Sequence, residues 1–179
     1  MRLFFAVELP SEVRTQLGRL RPGSDERDYR WVDPALMHVT LAFLGEQPEE
    51  RLPALERIGA DAASATNRGV LHLGDAGHFG TRRAPGVLWV GVVGETLMAL
   101  QRHVTQGLRE HAFAVEERPF RAHLTLARRR ESAQGGAPAG WPPHVDHTAF
   151  KLEQLTLMQS KLSPRGPTYT PVRQFELGG

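Results

Sequence analysis

The sequence predicts a mixed α and β fold built from a strand–helix–strand unit that occurs twice. Two observations carry this reading. The phrase His-x-Thr-x, with apolar residues at each x, is written at His38-Val39-Thr40-Leu41 and again at His123-Leu124-Thr125-Leu126. Each copy closes a similar frame: Leu3 to His38 spans 35 residues and Val87 to His123 spans 36, with a helical pattern inside each. Equal order and near-equal spacing point to an internal duplication. Duplicated units commonly pack about a pseudo-twofold axis, which brings equivalent strands, and with them both motifs, to a shared cleft.

The elements follow in order. Residues 2–8 are apolar with aromatic and branched side chains, and the run ends at Pro10, which reads as a strand. Ser11 can cap a helix carrying Val13, Leu17 and Leu20 at helical spacing. A polar loop covers 22–29, Trp31-Val32 opens the next extended segment, and Met37 to Leu44 is the first motif strand, ended by Gly45. Residues 49–65 read as a helix with Leu52, Leu55, Ile58 and Ala62 on one face. Pro53 falls in its first turns, where a missing N–H costs least. Residues 69–79 look extended, and Val87 to Val93 is a strand. A helix then runs from Glu95 to about His111 with Leu97, Leu100, Val104 and Leu108 in register. Ala122 to Arg128 is the second motif strand. Residues 131–146 carry Gly135-Gly136, prolines and few aliphatics, and read as a long flexible loop. Phe150 to Gln159 reads as one strand and 168–177 as the last.

At 179 residues the chain suits one domain, or two small lobes sharing a core. Absence of cysteine excludes disulfides, thiolate nucleophiles and thiolate-bound zinc. The N-terminal apolar run is too short for a signal peptide, and no stretch approaches the roughly 20 apolar residues of a membrane span. The expected location is the cytoplasm. The 22 basic residues comprise 20 Arg and 2 Lys. A GC-rich coding sequence explains that excess most simply, but the clusters are informative: Arg128-Arg129-Arg130 follows the second motif, Arg118 and Arg121 precede it, and Arg82-Arg83 lies in a loop. Arginine binds phosphate in a bidentate manner.

A histidine and a threonine two apart on a strand share a face, while the intervening residues point to the core. Two such strands supply two imidazoles and two hydroxyls to one cleft. A neutral imidazole can take a proton from water while a protonated one gives a proton to a leaving oxygen, and an ordinary pKa of about 6.5 makes both forms accessible. Threonine hydroxyls can donate to non-bridging phosphate oxygens. A metal site using His38 and His123 with His72 or His78 would lack a motif carboxylate and leave the threonines unexplained. No nucleophile-elbow pattern surrounds any serine.

The chain resembles the two-histidine phosphoesterase superfamily, and within it the RNA 2′,3′-cyclic phosphodiesterases, also called 2′-5′ RNA ligases. The resemblance runs through Arg2-Leu3-Phe4-Phe5-Ala6-Val7, Trp31-Val32, His38 to Gly45, Val87 to Val92, Arg118-Pro119-Phe120, His123 to Arg128, Ser160-Lys161-Leu162, Gly166 and Tyr169. It implies a bilobal α+β fold: two antiparallel sheets flanking a central cleft, helices outside. The lobes would be approximately 1–85 and 86–179, with exchange of strands between them allowed for. It implies metal-independent hydrolysis of an RNA terminal 2′,3′-cyclic phosphate to a 2′-phosphate, with the reverse 2′-5′ ligation as a further activity. His38 would be proton donor and His123 proton acceptor, with Thr40, Thr125 and Arg128 on the phosphate. No cofactor, metal, membrane or obligate protein partner is implied, and the expected state is a monomer acting on an RNA 3′ end. The family often has proline before the second histidine, where Ala122 stands here.

Strict alternation puts His123, Thr125 and Ala127 on one face and Arg128 on the other. Arg128 therefore reaches the phosphate only if the strand bends, bulges or ends there, or if the side chain curls round. Arg130 is the alternative. Trp31, Trp89 and Phe43 are candidates for stacking on a base, although Phe43 and Trp89 read as core. His72, His78, His103, His111, His144 and His147 are expected to have no catalytic role. Other readings are a phosphodiesterase for small cyclic nucleotides or 2′-5′ oligonucleotides, and an RNA-binding module without activity.

Overall fold

Nine strands and three helices make up the described part of the chain, residues 1–22 and 27–179 of a computed structural model. Of the loop expected over 22–29, residues 23–26 lie outside the described residues. The order is β1 (Arg2–Glu8), α1 (Ser11–Gly18), β2 (Tyr29–Trp31), β3 (His38–Glu46), α2 (Leu52–Ser64), β4 (Gly69–Thr81), β5 (Ala84–Val93), α3 (Glu95–Glu110), β6 (His123–Arg129), β7 (Ala149–Leu152), β8 (Gln154–Ser163) and β9 (Gly166–Glu176). Two antiparallel sheets result. The first has the order β3-β1-β8-β9 and the second β2-β6-β5-β4-β7. β1 and β3 of the first half share a sheet with β8 and β9 of the second, while β4 of the first half pairs with β5. The sheets therefore draw strands from both halves of the sequence.

Each strand of the frame buries one side. In β1, Leu3, Phe5 and Val7 join the main core, while Phe4 and Ala6 belong to a separate small cluster with Met158 on the other face. In α3, Leu97, Leu100, Val104 and Leu108 are all 0% exposed. Burial of each such side chain contributes about 1.5–3 kcal/mol, which fixes α3 on the sheets. Side chains from α1, α2, α3 and both sheets form that one core, so the helices lie behind the sheets and leave the opposite faces free. Among the described residues, no helix is long and apolar enough to cross a membrane.

Several boundaries differ from the sequence reading. Ser11 is the first helical residue rather than a cap; Pro10 occupies the cap position, and no side chain bonds there. Trp31 ends β2 instead of opening a strand, and a 3-10 turn at Pro34–Leu36, capped by the Asp33 carboxylate, intervenes before β3. Gly45 lies inside β3, and its φ of +67° is a conformation that glycine adopts freely. The strand expected over 150–159 is two strands in different sheets, broken at Glu153. The odd spacing of Leu152 and Leu155 records that break, since same-face residues must be an even number apart. Residues 131–146 are irregular as expected, but they are tied down. Arg129 donates to the carbonyls of Gly135 (2.6 Å) and Ala133 (3.2 Å), and Asp28 accepts from the N–H groups of Gln134 and Gly135.

Candidate active site

Both motif strands open directly onto a cleft of about 460 Å³ lined by His38, Thr40, His123, Thr125 and Arg128. Along β3 and β6 the intervening Val39, Leu41, Leu124 and Leu126 are buried in the core. The alternation inferred from sequence thus holds across both motifs. Its arrest afterwards explains Arg128. In the β5–β6 pairing, Trp89 faces Thr125 and Leu88 faces Ala127, so Leu126 is an extra residue without a partner. This bulge puts Leu126 and Ala127 both in the interior and returns Arg128 to the face of His123 and Thr125. Ala127 is 0% exposed, not on the cleft face as strict alternation required. Arg130 is not in the lining; its N–H donates to the Asp28 carbonyl.

The first motif repeats the device. Phe5 faces Ala42 and Ala6 faces Thr40, which leaves Leu41 as the extra residue of β3. Phe43 is thereby turned out of the core, where the sequence reading put it. It lines the cleft at 54% exposure, with the Arg2 guanidinium 4.8 Å from its ring centre. Trp89 is likewise not core. It is half-buried opposite Thr125, on the cleft side, against Phe79 and the bare backbone of Gly77, where a Cβ would meet the indole at 2.5 Å. Trp31 instead packs on Trp141 and the core. The six other histidines are outside the lining.

Each cleft histidine is held the same way. His38 Nδ1 lies 2.8 Å from the Leu36 carbonyl, and His123 Nδ1 lies 2.8 Å from the Arg121 carbonyl. A carbonyl only accepts, so Nδ1 carries the hydrogen in both protonation states and Nε2 is the nitrogen that gains and loses a proton. Rings brace the imidazoles. Phe4 and Tyr169 stand 4.9 and 5.0 Å from His38, and Phe79 stands edge-on 4.9 Å from His123.

Burial lowers the pKa of both histidines below the ordinary value of 6.5. For His38 the Leu36 carbonyl opposes this; Arg14 lowers the pKa further and Glu8 raises it. For His123 the Arg121 carbonyl opposes it, while the Arg128 and Arg121 cations add to the lowering. Burial also raises the Tyr169 phenol. The charged lining groups other than the histidines are Arg2 and Arg128, and no carboxylate stands among the described lining residues. The fixed charges of the cleft are thus cationic.

Arg2, Phe4 and Tyr169 were not singled out as site residues by sequence. Arg2 and Phe4 carry a local signal, since they share the period-2 face of β1 that ends at Glu8. Tyr169 reaches the cleft through pairing across three strands, Arg2 opposite Ser160 and Ser160 opposite Tyr169, and no local pattern reveals this.

A duplicated α+β frame with two His-Thr strands on one cationic cleft defines the two-histidine phosphoesterases as the class. The chain belongs to the LigT-like phosphoesterase family, whose model matches it twice, over residues 7–89 and 90–169. The RNA 2′,3′-cyclic phosphodiesterase of Thermus thermophilus is 35% identical, over 100% of this chain and 91% of its own length. A crystal structure of a Thermus thermophilus protein superposes with a TM-score of 0.88 at 33% identity, covering 100% of this chain and 99% of that one. Escherichia coli LigT complexed with 3′-AMP superposes with a TM-score of 0.81 at 28% identity, covering 98% and 97%.

Proposed function

We propose that the protein hydrolyses the 2′,3′-cyclic phosphate at an RNA 3′ end to a 2′-phosphate, by acid–base catalysis from His38 and His123 without a metal. The observation that carries this is the pair of imidazoles, each with Nδ1 committed to a backbone carbonyl, in one cleft whose fixed charges are cationic. The name of the Thermus relative and the 3′-AMP held by Escherichia coli LigT support the substrate class.

In this reading water attacks phosphorus in line with the P–O3′ bond. His123 Nε2 takes the water proton as the new P–O bond forms. The P–O3′ bond breaks, and His38 Nε2–H protonates O3′. The products are a 2′-phosphomonoester and a free 3′-hydroxyl, with every proton accounted for. Thr40, Thr125 and Arg128 donate to the non-bridging oxygens, where charge shifts in the transition state. The Arg128 and Arg121 cations add to the lowering at His123, which suits a base that must be neutral; at His38, Glu8 opposes the lowering caused by burial and Arg14. A 5′-hydroxyl in the water's place, with the steps reversed, makes a 2′-5′ linkage. Water, as the solvent, is in vast excess over any 5′-hydroxyl, which keeps hydrolysis the main outcome. Phe43, exposed at the cleft wall, supplies a face for the terminal base.

The test is incubation with a short RNA ending in a 2′,3′-cyclic phosphate, with EDTA present. Product carrying a 2′-phosphate is expected. A requirement for added metal, or a 3′-phosphate product, would overturn the reading.

A further inference from the structure

Arg30 on β2 stands directly opposite Arg128 on β6. Directly opposite side chains in an antiparallel pair share a face, with Cβ atoms about 4.5–5.5 Å apart. Arg30 therefore stands beside Arg128 on the face that carries the cleft, and both are exposed. Among the described residues neither makes an ion pair with a carboxylate. Like charges directly opposite one another weaken a sheet. An anion between them reverses the sign of that interaction, because each guanidinium then gains a charge-assisted hydrogen bond.

A second cationic station lies along the same sheet. Arg128 faces Val87 on β5, and Val87 faces Phe79 on β4. Both strands continue past that row to a two-residue turn made of Arg82 and Arg83, again exposed and without a carboxylate partner among the described residues. Ala84, where β5 begins, is three residues beyond Val87, which is about 10 Å along a strand. The turn has a set shape, since the Ala84 N–H donates to the Thr81 hydroxyl at 3.2 Å. By contrast, Arg68 and Arg118 are committed to carboxylates, and Arg14, Arg51 and Arg129 to carbonyls.

We propose that Arg30 and the Arg82–Arg83 turn bind the phosphodiester backbone of the RNA strand on the 5′ side of the terminal cyclic phosphate. This rests on the functional reading above and extends it from the terminal nucleotide to the strand behind it. A cyclic phosphate closes the 3′ end, so the rest of an RNA leaves the cleft only from its 5′ side. Contacts of this kind track the backbone and do not read bases. The protein therefore favours an oligonucleotide over a mononucleotide without a matching sequence preference.

The experiment compares a nucleoside 2′,3′-cyclic monophosphate with a short oligonucleotide ending in the same cyclic nucleotide, on the wild-type protein and on Arg30→Gln and Arg82→Gln/Arg83→Gln variants, singly and combined. For the wild type, the ratio of oligonucleotide to mononucleotide kcat/KM should fall about twentyfold between 50 and 200 mM salt, the loss for three phosphate contacts to a single strand. The combined variant should lose that salt dependence and most of the oligonucleotide preference while turning over the mononucleotide like the wild type. Equal treatment of both substrates by the wild type, or an oligonucleotide preference unchanged in the combined variant, would overturn the track and leave the functional reading standing. Turnover of neither substrate would overturn the functional reading and the track with it.

Discussion

Replacing Arg128 by alanine separates two effects that the geometry assigns to one guanidinium. The side chain is exposed, lines the cleft and has no carboxylate partner among the described residues. Its loss should change folding stability by no more than about 0.5 kcal/mol, the usual range for such surface positions. In the proposed reaction its contact with a phosphate oxygen is a hydrogen bond from a charged donor, worth about 1.5–3 kcal/mol. At about 1.36 kcal/mol per decade, kcat/KM should fall by about 10- to 150-fold. The second effect is on His123. The Arg128 cation lowers its pKa, so removal should move the acid limb of the kcat/KM–pH profile upward. Arg128→Lys should keep the direction of the pKa effect while losing the bidentate geometry. The assay is initial-rate hydrolysis of a cyclic-phosphate-ended RNA across pH 5 to 8, with the urea midpoint as a folding control. A variant with wild-type kcat/KM and an unmoved acid limb would refute the claim that the β6 bulge delivers a working arginine to the cleft.

Three further outcomes follow from the same geometry. His38→Ala and His123→Ala should each lower kcat by about 10²- to 10⁴-fold, with substrate still bound; wild-type turnover in both would overturn the acid–base assignment. Both histidines have folded-state pKa values below the unfolded value of 6.5, so the unfolded chain takes up protons in acid that the folded chain does not. Their contribution to stability is thus present above pH 6.5 and is lost as pH falls through the lowered values. A double His38→Gln/His123→Gln variant should show a smaller drop in urea midpoint from pH 7 to pH 5, and an unchanged drop would contradict the burial of the two rings. Phe43→Ala should raise KM for a nucleotide substrate by about 5- to 150-fold, the value of a base stack of about 1–3 kcal/mol. Phe43→Tyr should retain affinity, and equal KM values for all three proteins would show that no base rests there.

What the sequence revealed was local and periodic. The order of strands and helices, the α3 stripe from Leu97 to Leu108 and the cleft-facing pairs His38–Thr40 and His123–Thr125 all follow from alternation or helical spacing. What stayed hidden depends on pairing between distant strands. A bulge is defined by two neighbouring strands, so nothing within Leu124-Thr125-Leu126-Ala127 marks Leu126 as the extra residue until β5 is laid beside it. The same device displaced Phe43 from the core. Tyr169 could not be placed because its position depends on β9 pairing with β8, and β8 with β1, at the far end of the sequence. Nor does the sequence of β4 reveal that Gly77 is the surface on which Trp89 lies, since that contact too comes from pairing with β5.

Duplication explains why there are two histidines, but not why they would take different roles. Equivalent positions in the two halves supply a reason. Glu8 faces His38 from the neighbouring strand, while Gly91 faces His123. The third residue after each threonine is Phe43 in one half and Arg128 in the other, both delivered to the cleft by equivalent bulges. One imidazole therefore has a carboxylate across the strand and an aromatic ring at the bulge; the other has no side chain across the strand and a guanidinium at the bulge. Glu8 raises the pKa of His38 against the lowering by burial and Arg14, whereas Arg128 adds to the lowering of His123. In the proposed reaction these two differences distinguish the ends of the repeated frame. In that reading the terminal base lies beside Phe43 and the phosphate beside Arg128. Because the two histidines interact with one bound phosphate, the pH–rate profile reports apparent values for the pair, and only substitution of Glu8 or Arg128 separates its limbs. Glu8→Gln should lower the alkaline limb and Arg128→Ala should raise the acid limb, whereas movement of both limbs together in either variant would show that the two ends are not distinct.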